Sequence, residues 1–152
     1  AGQVVANSLE GNGVCIRYQR NNNAELDCAG NAITTADSFV TRLFFNSTNS
    51  SLMCGIQGAT AVALVDSIES LQMTYRLNSS PSNITNVTTP ATDQWDDIVA
   101  VRTAILTASD TQTADSAQVY RFPLDSATTT TASDRRVYRS SFKTVTLRNS
   151  IL

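Results

Sequence analysis

Leu71-Gln72-Met73-Thr74-Tyr75-Arg76-Leu77 alternates without a break. Leu71, Met73, Tyr75 and Leu77 fall on one side, and Gln72, Thr74 and Arg76 on the other. Period two is the repeat of a β-strand, and one polar side marks a sheet with one wet face. The run closes a longer stretch, Ala61–Leu77 (AVALVDSIESLQMTYRL), whose first half also admits a helix.

Asp97–Thr107 (DIVAVRTAILT) is the most apolar stretch, and its β-branched content predicts a central strand. Gly13–Arg20 (GVCIRYQR) reads as a first strand ending in the turn cluster Asn21-Asn22-Asn23. Glu25–Cys28 reads as its short hairpin partner. Asp37–Asn46 (DSFVTRLFFN) sets Phe39, Leu43 and Phe45 at strand spacing, and Leu52–Ile56 is a short apolar strand. Asn78–Thr92 reads as a long polar loop. Ala117–Pro123 (AQVYRFP) reads as a strand stopped by its proline, and Asp125–Asp134 as a flexible low-complexity loop. The last element, Arg136–Leu147, carries a slip between Val137 and Phe142 that predicts a bulge or a helical turn. The sum is eight or nine short strands joined antiparallel, since no helical crossover separates them.

The composition agrees. Ser, Thr and Asn make up about a third of the 152 residues, and charged residues only 16%. The chain carries 11 Lys+Arg against 13 Asp+Glu, a formal charge of −2, which gives no electrostatic case for nucleic-acid binding. Histidine is absent, and Lys143 is the single lysine. That removes Ser-His-Asp and Cys-His catalysis, His-ligated zinc and a histidine pH switch. No P-loop or dinucleotide fingerprint occurs, and Gly11-Asn12-Gly13 reads as a turn. No residue set is assigned to catalysis, to a metal or to a cofactor.

Several residue groups carry a functional and a plainer reading side by side. Asp93, Asp96 and Asp97 flank Trp95. They suit a Ca²⁺ ligand set in number but lack the glycine and downstream glutamate of an EF-hand loop. The plainer reading is a solvated loop with Trp95 anchored in the core. Arg135, Arg136 and Arg139 form a small basic run and a candidate partner contact, against pairing with nearby carboxylates. Five Asn-x-Ser/Thr sequons, at Asn46, Asn49, Asn78, Asn83 and Asn86, fit polar loops as well as glycosylation. Cys15, Cys28 and Cys54 make an odd set without a CxxC pair. Cys28 and Cys54 sit beside glycines at strand edges, and Cys15 lies within Val14-Cys15-Ile16. The placement favours a Cys28–Cys54 bridge with Cys15 as a buried thiol. Cys15–Cys28 is the rival pair, and three reduced core cysteines remain the bland alternative.

Three stretches in this order and spacing resemble the C-terminal domain of PilW-type minor pilins of type IV pili. They are Val65–Tyr75 (VDSIESLQMTY), Ile98–Leu106 (IVAVRTAIL) and Phe142–Asn149 (FKTVTLRN). Asp27-Cys28-x-Gly30 followed by Leu52-Met53-Cys54 resembles the family's cysteine pattern and supports the Cys28–Cys54 pair. The resemblance implies a single head domain over residues 1–152, mainly β here and α+β in a full chain, with antiparallel strands in one or two sheets. The full chain would carry an N-terminal helix, and Ala1-Gly2 resembles the point where that helix gives way to the head. The implied role is structural, not enzymatic: priming pilus assembly at or near the tip. The implied partners are other minor pilins, the major pilin and a large tip adhesin. The implied setting is the inner membrane with a periplasmic head, then the pilus. The family ending Arg148-Asn149 reads as structural. The head is expected to leave an apolar strip uncovered on its sheet. Rival readings are a J-like pseudopilin of a type II secretion system, an adhesive β-sandwich binding through Trp95, and a carboxylate-based enzyme.

Overall fold

A computed structural model describes residues 2–5, 13–19, 25–34, 38–80, 83–123 and 126–147. Five strands form the first sheet in sequence order: β1 (Gly2–Val5), β2 (Gly13–Gln19), β3 (Ser38–Asn46), β4 (Ser51–Ile56) and β5 (Val62–Val65). The second sheet has the order β11-β8-β6-β7, from β6 (Ile68–Ser80), β7 (Asn83–Val87), β8 (Ile98–Ala108) and β11 (Tyr138–Thr146). A two-stranded ribbon joins β9 (Val119–Tyr120) to β10 (Thr130–Thr131). Every pairing is antiparallel.

The alternation of Leu71–Leu77 becomes burial. Leu71, Met73, Tyr75 and Leu77 are 1%, 1%, 3% and 0% exposed, while Arg76 is open to solvent. They join Ile68, Ile98 and Val101 of the same sheet and Val14 and Leu52 of the first sheet in one apolar cluster. Removing each such aliphatic chain from water contributes roughly 1.5–3 kcal/mol. Leu43 and Phe45 of β3 and Trp95 pack against the cluster.

The crossing between sheets is built at Asp66-Ser67. Ser50 and Ser67 both take left-handed backbone, with φ of 52° and 61°. The Ile68 amide donates to the Ser50 carbonyl at 2.8 Å, and Ser51 Oγ donates to Asp66 Oδ1 at 2.7 Å. Both left-handed residues therefore lie in a local hydrogen-bonded corner that offsets their backbone cost. A side chain on Gly55 would come within 2.8 Å of the Ala61 backbone, so the β4–β5 hairpin closes this tightly only over glycine.

Several expectations are corrected. Ala61–Leu77 holds no helix: β5 and β6 occupy it, because the turn at Asp66-Ser67 interrupts any helical ladder. β2 pairs with β1 and β3, not with Glu25–Cys28. The latter segment folds on itself through a Leu26–Ala32 bridge and an Asp27 side chain that accepts from the Ala29 and Asn31 amides. Asn78–Thr92 is not all loop, since β6 runs on to Ser80 and β7 returns alongside it. Val87 of this edge strand is half-buried against the core, a packing reward that the polar composition conceals. The strand of Ala117–Pro123 shrinks to Val119–Tyr120, and its partner, Thr130–Thr131, lies inside the segment read as a flexible loop. β11 pairs with β8 residue for residue from Tyr138 to Thr146, so no bulge lies between Val137 and Phe142. The β6–β8 pairing is irregular instead, between Ile68 and Ser70 and again between Arg76 and Leu77. The Asn21–Asn23 turn, Gly11-Asn12, Ala1 and the Arg148-Asn149 ending lie outside the described residues.

Candidate functional site

The bulge on β6 leaves Glu69 opposite no residue of β8, and bulges re-aim side chains in this way. Its Oε1 accepts from Arg136 Nη1. Arg136 Nε donates to Asp134 Oδ2 at 2.8 Å, and the Arg136 amide donates to Asp134 Oδ1 at 3.0 Å. Arg136 Nη2 donates to the Tyr138 hydroxyl at 3.0 Å, and that hydroxyl donates to Asp134 Oδ2 at 3.2 Å. One guanidinium thus holds two carboxylates and a phenol. Its hydrogen bonds to Glu69 and then to Asp134 push the Arg136 pKa up. The Arg136 side chain holds the Asp134 carboxyl below the ordinary range, and desolvation raises the Tyr138 phenol.

Tyr138 also stacks on Tyr120 of the ribbon, with ring centroids 4.8 Å apart and planes 12° from parallel. Tyr138 Nα donates to Gln118 Oε1 at 2.8 Å, so the ribbon is tied to the sheet edge by polar and aromatic contacts together. The pair Tyr120 and Tyr138 was not foreseen in the sequence. One signal exists: Asp134, Arg136 and Tyr138 are two apart, which sets them on one side of an extended chain.

The basic run does not converge. Arg136 turns inward to Glu69 and Asp134. Arg135 is exposed and holds the Ala114 amide through its backbone carbonyl. Arg139 follows Tyr138 on β11 and points to the opposite face. Trp95 sits in a 3-10 turn, Trp95–Asp97, and meets Tyr75 edge-on at 5.5 Å. Asp93, Asp96 and Asp97 are exposed around it. Among the described residues, no group of three or more Cys, Asp or Glu side chains is arranged to hold a metal ion.

Cys28 and Cys54 are joined, with Cα atoms 5.8 Å apart across 26 residues of sequence. The bridge fastens the Asp27 turn to β4. Backbone amides, that of Asn31 foremost, hold the Asp27 carboxyl below its usual range. Cys15 is a buried thiol whose pKa burial raises, opposed in part by Arg42.

The C-terminal half of β11 is poorly covered. Ser141 to Thr146 are exposed on both faces, with Phe142 52% and Val145 54% open. Val145 lies opposite the buried Val101, so the apolar surface of the core continues out to solvent here.

This architecture defines a type IV pilin-like head. A solved structure, the type IV-like pilin TTHA1219 from Thermus thermophilus, superposes with a TM-score of 0.55 over 96% of this chain and 84% of that one, at 15% identity. The family model of Type IV Pilus-assembly protein W matches residues 32–149, and the chain belongs to this PilW family. A comparison with curated proteins gave no match. Membership associates the chain with the type IV pilus and the cell envelope, among components whose role is structural. No helix among the described residues is long and apolar enough to cross a membrane.

Proposed function

We propose that this chain is the head of a minor pilin that primes pilus assembly and sits at or near the filament tip. The observation that carries this reading is the uncovered flank of β11 in a chain of the PilW family. A sheet with an apolar face needs a covering layer, and Val145, opposite Val101, extends that need to the molecular surface. In a filament, a long N-terminal helix and the heads of neighbouring subunits supply such a layer. The partners are then other minor pilins, the major pilin and a large tip adhesin. The head faces the periplasm from the inner membrane before assembly and joins the pilus afterwards.

Residues 1–152 act in this reading as one domain, because one apolar cluster draws on both large sheets. Arg135 and Arg139, both exposed, are the members of the basic run that can reach a neighbour. Arg136 holds the ribbon instead. Catalysis has no part in the proposal.

The test is photo-crosslinking in cells from a reactive residue placed at Val145. Adducts that contain a second pilin subunit are expected. Adducts with subunits of a type II secretion system, and none with pilus subunits, would assign the head to a pseudopilin.

A further inference from the structure

The β9–β10 ribbon and the segment that follows it close over the outer face of β6, β8 and β11. They border an open, mostly polar cleft of about 430 Å³. Its floor is Leu106, 4% exposed. Glu69 and Ser70 stand on one side, and Tyr120, Ser133 and Tyr138 on the other. Its charged residues are Glu69, Asp134 and Arg136, two negative and one positive, a formal sum of −1.

We propose that this cavity binds one or two sugar units of a neutral glycan. The volume falls within the range of about 300–1,000 Å³ typical of small-molecule sites. An anion is disfavoured, because the cavity's cation already bridges both carboxylates and the remaining charge is negative. A purely apolar ligand is disfavoured too, because it would strip water from carboxylates and hydroxyls without replacing their hydrogen bonds. A pyranose ring answers both demands. Its hydroxyls both donate and accept, which suits carboxylate oxygens, guanidinium N–H groups and serine hydroxyls. Its faces of C–H bonds pack against an aromatic ring, which Tyr120 supplies, while the Tyr138 ring is taken up by Tyr120 and by the Arg136 guanidinium 5.3 Å from its centroid.

The walls are fixed before any ligand arrives. Asp134, Arg136 and Tyr138 hold one another, and Tyr138 in turn stacks on Tyr120. Binding therefore costs little ordering of side chains. The cavity lies on the face of the sheet opposite Val145, the position that probes the assembly role, and shares its own face with Phe142.

The experiment is amide NMR of the isotopically labelled 152-residue chain. It is titrated separately with maltose, cellobiose, lactose and N,N′-diacetylchitobiose, and with inorganic phosphate and a blocked lysine as charged probes. Saturable shifts at Ser70, Tyr120, Ser133 and Tyr138 with at least one neutral disaccharide are expected. Tyr120→Ala should weaken that binding at least about tenfold, the loss of an aromatic platform. Ser133→Trp, a substitution at an exposed position that fills the mouth, should abolish it with the remaining spectrum unchanged. Overturning results are no saturable shift with any neutral disaccharide, shifts that map elsewhere, response to the charged probes alone, or unchanged affinity in Ser133→Trp.

Discussion

The Tyr75 hydroxyl donates a buried hydrogen bond of 3.0 Å to the Gly13 carbonyl, 62 residues away in the other large sheet. Tyr75 lies on the second sheet and Gly13 opens β2 of the first. The bond therefore fixes how the sheets lie on each other, while the ring fills the core between them.

Tyr75→Phe should then lower stability by about 1 kcal/mol, the net worth of a neutral hydrogen bond. Tyr75→Ala should cost about 3–5 kcal/mol, because the cavity term adds to the lost burial. Urea denaturation measures both. Wild-type stability in Tyr75→Phe would deny the bond any role.

The alternation of the deciding stretch gives a sharper contrast. Leu71→Ala should cost about 2–5 kcal/mol, and Gln72→Ala next to it within about 0.5 kcal/mol. Leu71 is 1% exposed and Gln72 belongs to the face that borders solvent. Similar losses at both positions would mean that the strand is covered on both sides.

Replacing both Cys28 and Cys54 by serine should remove about 3.5 kcal/mol by the chain-entropy estimate for a loop of this length. Reductant should lower the wild-type unfolding midpoint and leave that of the double variant unchanged. Cys15 plays no part in the bridge, so non-reducing peptide mapping should return it as a free thiol.

Acid should loosen the two carboxylate-centred turns. Asp27 and Asp134 both have folded-state pKa values below the ordinary 3.8. Their contribution is therefore fully present above that value and is lost as pH falls through the depressed folded values. Unfolding midpoints should drop below about pH 4, and Asp27→Asn with Asp134→Asn should flatten that drop while lowering stability at pH 7. An unchanged acid limb in the double variant would show that other groups set it.

The parts of this molecule governed by near neighbours were legible in its sequence. Leu71 to Leu77 declared a strand and its buried side, and Ile98–Ala108 declared its central partner, because period and β-branching are local properties. Strand pairing was less legible. β2 has two neighbours, and neither is the Glu25–Cys28 segment next along the chain. The Asn83–Val87 strand hides in polar residues because an edge strand needs burial on one side alone. The Arg136 cluster was half visible. The arginine could be named, but Glu69, 67 residues away, joins it through a bulge that no local pattern announces. Tyr120 reaches Tyr138 in the same way, through a ribbon of two-residue strands too short to leave a periodic signal.

A head that primes pilus assembly is needed for filaments to form. The most direct measurement is an in-frame deletion of its gene, with surface filaments counted by electron microscopy and restored from a plasmid copy. Loss of pili, recovered by the wild-type copy, is the predicted result. Normal piliation in the deletion strain, with exoprotein secretion lost instead, would contradict the account.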